Sequence, residues 1–365
     1  MDIIQVDLNT SEEYFDISPL LTETIEVIPL ETTDESLIGE ITDVRVEDDR
    51  IFITDEMSHR ITVFDREGKY VSKIDRYGRG PGEYLEIAAT EVLNDSTCVI
   101  LDLFNMSLLY YRIDGRFIKT KDVSEIWARA VVKTDDKLYF VNSGSSSKKG
   151  FYHLFSVSEN SDKIEAFLPF DGDKMYNNSI GWSLDRYYSK NDDELLLYFP
   201  PYDTLYTVSN NRAQAICFVD FGSRKLPKNI LEGDGRTALI TSIEKGYISG
   251  VEKVLATDKY LFIDFREKEE YTAIYNRATK EIQVSRFVIN SDLGGFRLFG
   301  NKAIVRDGIL ISSLNASEIN VHLGESSGFP NKEFPAPNIE FMDKIDAIRK
   351  TDPSDNPVLF IQKFK

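Results

Sequence analysis

Six times along the chain a short polar turn holding an aspartate leads into a β-type apolar run. The copies are EDDRIFITD (47–55), NDSTCVILD (94–102), DDKLYFVN (135–142), NDDELLLYF (191–199), TDKYLFIDF (257–265) and RDGILISSL (306–314). Aligned on Asp49, Asp95, Asp136, Asp193, Asp258 and Asp307, they stand 46, 41, 57, 65 and 49 residues apart. Aspartate and asparagine suit such turns because their side chains bond nearby backbone groups and tolerate left-handed conformations. A second strand pair follows each run. It is RITVFDREGKYVSKID (60–75) in the first copy and SLLYYRIDGRFIKTKD (107–122), turning at Asp114–Gly115, in the second. Later copies are looser: FYHLFSVSENSDKIEAFLPF, DTLYTVSNNRAQAICFVDF and YTAIYNRATKEIQVSRFV. Four short antiparallel strands per unit of roughly 40 to 50 residues mark a propeller blade. Six units therefore predict an all-β, six-bladed β-propeller, with residues 1–365 as one domain and the excess length in loops at about 171–190 and 222–250.

The sixth unit departs from the pattern. After GILISSL no strand pair is evident, and residues 338–350 read as a short helix. Asn338 is placed to cap it, Phe341, Ile345 and Ile348 share one face, and Asp352–Pro353 ends it. A strand returns as PVLFIQKF at the C-terminus, and TIEVIPLE (24–31) is the candidate for the missing outermost strand. Closing the last blade with strands from both termini removes the open edges that invite aggregation.

The stretch GRGPGEY (78–84) has two readings. As a dinucleotide fingerprint, Gly78 and Gly80 fit the first two glycines of G-x-G-x-x-G, and Asp102 stands near the place of a ribose partner. Glu83 occupies the third glycine position, however, where its carboxylate would oppose a pyrophosphate, and Pro81 removes a backbone donor. As a blade-to-blade connection, the glycines allow a sharp turn close to neighbouring backbone. Tyr84 is then expected to wedge between blades.

RYGRGPGEY, with VIPLETTDESLIGEI (27–41) before it and NPVLFIQKF at the end, resembles a family of six-bladed propeller proteins from gut Gram-negative bacteria. These are related to NHL-type propellers, with TolB-like four-stranded blades, and the resemblance spans essentially the whole chain. It implies secreted or lipid-anchored proteins of the cell envelope, mostly of uncharacterised function, and a lipoprotein signal removed ahead of Asp2. Without such a signal the expectation is a cytoplasmic interaction module.

Composition narrows the chemistry. With 43 basic and 61 acidic residues the chain carries −18, which disfavours nucleic acid and anionic membranes as partners. No apolar run reaches the length of a transmembrane helix. Cys98 and Cys217 sit in apolar β-type runs, where a free thiol packs as a small hydrophobe. The three histidines, His59, His153 and His322, have no zinc-type spacing, and DGDK (171–174) lacks the later ligands of a calcium loop. No cofactor or metal is expected, and no catalytic set stands out among the carboxylates.

Propeller ligands gather where the loops between second and third strands meet the blade-to-blade connections. The repeat places Asp55, His59 and Arg60 there from blade 1, and Trp127 and Arg129 from the second junction. The third junction contributes Trp182, Arg186, Tyr187 and Tyr188, blade 5 contributes Arg266, and the fifth junction contributes Phe296 and Arg297. Aromatics with arginines form a platform for sugars or peptides through stacking and forked hydrogen bonds. The competing structural reading makes Trp127 and Trp182 inter-blade packing and pairs Arg60 with Asp55. The expectation is a non-catalytic, monomeric propeller that binds a protein, peptide or glycan in the cell envelope. The alternative is a sugar lactonase or a glycan-cleaving lyase or hydrolase using the central cleft.

Overall fold

The computed structural model describes all residues except 48, 135–136, 143, 159–162, 172–186, 210–211, 232, 298–302 and 324–338. Before the first blade come strands β1 (Asp2–Gln5), β2 (Glu12–Asp16) and β3 (Glu26–Pro29). Blade 1 is β4 (Asp43–Val46), β5 (Arg50–Asp55), β6 (Arg60–Asp65) and β7 (Tyr70–Ile74). Blade 2 is β8 (Ala89–Asn94), β9 (Thr97–Asp102), β10 (Ser107–Arg112) and β11 (Phe117–Asp122). Blade 3 is β12 (Ala130–Thr134), β13 (Lys137–Val141), β14 (Tyr152–Ser158) and β15 (Ile164–Pro169). Blade 4 is β16 (Tyr188–Asn191), β17 (Glu194–Leu197), β18 (Thr204–Ser209) and β19 (Arg212–Asp220).

The connection from blade 4 to blade 5 carries helices α1 (Lys228–Leu231) and α2 (Gly235–Lys245). Blade 5 follows as β20 (Val251–Ala256), β21 (Tyr260–Arg266), β22 (Glu270–Asn276) and β23 (Ile282–Asn290). A short β24 (Phe296–Arg297) pairs with β23. Blade 6 begins with β25 (Ile304–Arg306) and β26 (Ile309–Leu314). Helices α3 (Ala316–Leu323) and α4 (Ile339–Ile348) intervene before β27 (Val358–Lys363). The sheet order β25-β26-β27-β3 shows the closure expected of the termini, with β3 antiparallel to β27 as the outermost strand.

The second strand of each blade reads as a continuous apolar run because both its faces are covered by neighbouring blades. In β5, Ile51 and Ile53 pack toward blade 6 while Phe52 packs toward blade 2. In β9, Cys98 and Ile100 face blade 1 while Val99 and Leu101 face blade 3. Further clusters fill the spaces among blades 3, 4 and 5 and between blades 5 and 6, so the core is a ring of wedges. Both cysteines are free and buried in it, and burial pushes each thiol up to about 12. Phe341, Ile345 and Ile348 of α4 are buried on one face, as the periodicity requires, while Asn338 lies outside the described residues.

The repeated aspartates stand in the turns between first and second strands, all on one face, called here the bottom; Asp136 lies outside the described residues. Some of these turns knit neighbouring blades together. Asn191 donates to Asp258 (2.7 Å) and accepts from the amide of Gly308 (2.9 Å), while Asp307 accepts from the amide of Asp192 (2.7 Å). Because strands alternate in direction, the turns between second and third strands and the blade-to-blade connections share the opposite face, the top.

Two features exceed the sequence reading. β1 adds in parallel to β19, and β2 adds in parallel to β23. The N-terminal segment therefore straps the rims of blades 4 and 5 before β3 completes blade 6. Helices α1, α2 and α3 were likewise not foreseen.

Candidate functional site

Top-face turns are tied down by buried side-chain amides and carboxylates. Asp55 ends β5, is fully buried, and accepts from the amides of Ser58 (2.9 Å) and Gly39 (2.7 Å), so it fastens its own turn to the incoming connection. Asp102 repeats this at the end of β9, accepting from the amides of Leu85 and Phe104 (both 3.1 Å) and from Asn105 Nδ2 (2.7 Å). Asn142 holds the blade 3 turn through the amides of Gly144 and Ser145. Asn356 accepts from the amide of Ile38 (2.8 Å), anchoring the junction from blade 6 to blade 1.

The glycine-rich stretch is a connection with its own anion built in. Glu83 turns back and accepts from the amide of Gly80 (2.6 Å), and a Cβ on Gly78 would stand 2.1 Å from that carboxylate. The donors that a phosphate would use therefore face a carboxylate of the same loop. Gly82, at φ +71°, lies so close to Phe117 that a Cβ would stand 2.6 Å from its ring. Tyr84 is the expected wedge: it is fully buried among residues of blades 1 and 2, and its hydroxyl donates to His59 O (2.7 Å). Burial pushes that hydroxyl well above the usual tyrosine range.

A cavity of about 510 Å³ opens beside this loop, lined among others by Arg79, Pro81, Phe104, Ser107 and Thr120. Phe104 is 67% exposed, and Leu37, Met57, Tyr77 and Phe151 are likewise exposed on loops of the same face. Tyr77 stacks on His59 with ring centroids 4.3 Å apart. Ile240 and Ile243 of α2 are exposed in the top connection from blade 4 to blade 5. Among the described residues the other exposed large apolar side chains lie on the N-terminal or outer strands, and none lies in a bottom turn. Sequence reasoning missed Met57, Tyr77, Arg79 and Phe104. The available signal was a large apolar residue inside a polar turn whose geometry does not need one.

The residues proposed from sequence have varied placements. Arg60 donates to Leu37 O rather than pairing with Asp55. Trp127 is half-buried, and its indole Nε1 is buried without a partner among the described residues. Arg129 precedes β12, with its amide bonded to Val141 O (3.0 Å). Trp182 and Arg186 lie outside the described residues. Tyr187, at φ 49°, is buried edge-on against Tyr198 and Phe199. The Tyr188 hydroxyl accepts from Arg306 (3.2 Å). Arg266 is half-exposed and pairs with Glu252 (3.6 Å) and with Glu270. Phe296 and Arg297 form β24, and their side chains are not described.

Inner strands fill the central channel with charge. Arg45 of β4 pairs with Glu91 of β8 (2.7 Å) and Asp43 (3.4 Å), and Arg306 of β25 stands 3.8 Å from Asp43. Burial works against the Arg45 charge, but Glu91 and Asp43 outweigh it and hold the guanidinium protonated. Among the described residues no group of three or more His, Cys, Asp or Glu side chains is arranged to hold a metal. Nor is any described helix long and apolar enough to cross a membrane.

Residues 2–363 match the family described as "Domain of unknown function (DUF4934)". No curated protein matches the chain. Among solved structures, a "Putative exported protein" from Bacteroides fragilis NCTC 9343 superposes with a TM-score of 0.75 at 19% identity, covering 100% of this chain and 99% of that one. A member of the DUF4221 family from Bacteroides vulgatus ATCC 8482 gives a TM-score of 0.53 at 13% identity, covering 94% and 96%. At these identities the likeness concerns the fold.

Proposed function

The chain belongs to the DUF4934 family, a domain of unknown function, and from that premise we propose a non-catalytic propeller of the cell envelope that binds a peptide, protein or glycan on its top face. The supporting observation is the concentration of Leu37, Met57, Tyr77, Phe104 and Phe151 on top-face loops of blades 1 to 3. Large apolar side chains left exposed on one face suit a partner that covers them, and the anchoring by Asp55, Asp102 and Asn142 spares these loops much of the ordering cost of binding. The exported description of the Bacteroides fragilis protein supports an envelope location. Arg129, Arg266, Phe296 and Arg297, with Trp127, Trp182 and Arg186, belong to the same proposal as further platform residues.

The test is a glycan and peptide array probed with the wild-type chain and with a Met57→Ser, Tyr77→Ala double variant. The expected result is loss of array ligands with an unchanged melting temperature. Ligands retained at full strength by the variant overturn the proposal.

One observation favours the enzyme alternative. At the top of blade 5, burial raises the carboxyls of Glu252 and Asp264 above the usual range, as a general acid requires. Turnover of a lactone or glycan that disappears in both Glu252→Gln and Asp264→Asn would establish that reading over the first.

A further inference from the structure

We propose that the cavity beside the glycine-rich loop is a binding site for an acidic saccharide, a pyranose ring bearing a carboxylate. This rests on the top-face reading and gives it a ligand class. The cavity, about 510 Å³, falls within the range of about 300 to 1,000 Å³ typical of small-ligand sites. Its floor is the outer part of the blade 2 sheet, where Leu109 and Thr120 are cross-strand partners and Ser107 lies two residues from Leu109 on the same face.

Both walls are held from behind. Glu83 and the Tyr111 hydroxyl, which donates to Gly82 O (2.8 Å), fix the glycine-rich wall, while Asp102 fixes the turn that presents Phe104 and Asn105. The site is thus preformed, and a ligand does not have to order it.

The lining is a matched set. The Phe104 ring is exposed and offers an apolar face to the C–H side of a sugar. The Ser107 and Thr120 hydroxyls have no partner among the described residues and can both donate and accept, as sugar hydroxyls do. Arg79 is exposed, has no ion pair among the described residues, and presents a fork suited to a carboxylate. Glu83 also lines the cavity, but its carboxylate is turned onto the Gly80 amide, so the unpaired Arg79 is the charged group left to meet a ligand carboxylate, and it disfavours amines. A phosphate ligand fits less well, because Glu83 already occupies the Gly80 amide of the loop.

Saturation-transfer NMR with D-glucuronate and D-glucose tests the site on the wild-type chain and on Arg79→Ala, Phe104→Ala and cavity-filling Thr120→Trp variants, each checked by thermal melting. Glucuronate is expected to bind the wild-type chain more tightly than glucose. Its affinity should fall about tenfold or more in Arg79→Ala, and its signal should vanish in Thr120→Trp. Equal binding of the two sugars, full binding by Arg79→Ala, or no glucuronate signal from the folded wild-type chain overturns the proposal. If glucuronate fails while array ligands still depend on Met57 and Tyr77, only this site is lost. If glucuronate binding depends on Arg79 while array ligands ignore Met57 and Tyr77, the wider reading falls instead.

Discussion

Glu83 and Asp55 are carboxylates on the face proposed for binding, yet both are engaged by amides of their own chain. That engagement separates scaffold from surface at the residue scale, and it was only partly legible. The place of Tyr84 followed from an aromatic just after a glycine-rich connection, whereas the folding back of Glu83 depends on loop conformation that no local pattern encodes. Tyr84→Phe leaves the wedge but strips a donor from His59 O, so urea melts should show a loss of about 1 to 2 kcal/mol. His153 supplies a pH test. Stacked on Phe199 at 3.9 Å and buried, it has its pKa pushed down by burial to about 4 from an ordinary 6.5. The unfolded chain then takes up this proton more readily, so the stability tied to neutral His153 is complete above pH 6.5 and is lost as pH falls toward 4. The full loss is about 3 kcal/mol. In His153→Phe the decline in stability from pH 6.5 to 4 should be shallower by about that amount; an identical decline in both proteins would show that His153 does not titrate as described.

Among the elements, the N-terminal segment carries the clearest division of labour. β3 closes blade 6, while β1 and β2 lie along the rims of blades 4 and 5. Removing residues 1–16 should lower the melting temperature and keep one cooperative transition, because Ile4, Val6 and Leu8 leave the core but every blade keeps four strands. Removing residues 1–31 also takes β3, exposes the edge of β27, and should cost cooperative folding and promote association. Equal melting temperatures and monomeric behaviour for the two truncations would contradict this closure. β3 was legible because VIPL matches a strand missing from the repeat. β1 and β2 were not, since they add in parallel outside any blade and are mostly exposed. Helix α2 escaped for a related reason. Its N-cap Asp234 and left-handed Gly246 were readable signals, yet Ile240 and Ile243 face solvent, so its apolar residues do not mark its buried side.

Across the whole molecule the two faces differ in kind. Bottom turns carry the repeated aspartates and bind one blade to the next, whereas the top carries long connections, exposed apolar side chains and a preformed cavity. The repeat made the ring and its faces legible, but not which loops carry exposed apolar groups. Hydrogen–deuterium exchange of the wild-type chain, with and without its strongest array ligand, tests the assignment of the binding face most directly. The expected result is protection of residues 35–39, 56–59, 76–83 and 103–106, with the bottom turns at 94–96 and 257–259 unchanged. Protection of those bottom turns or of the outer strand 117–122, with the top loops unaffected, would contradict it.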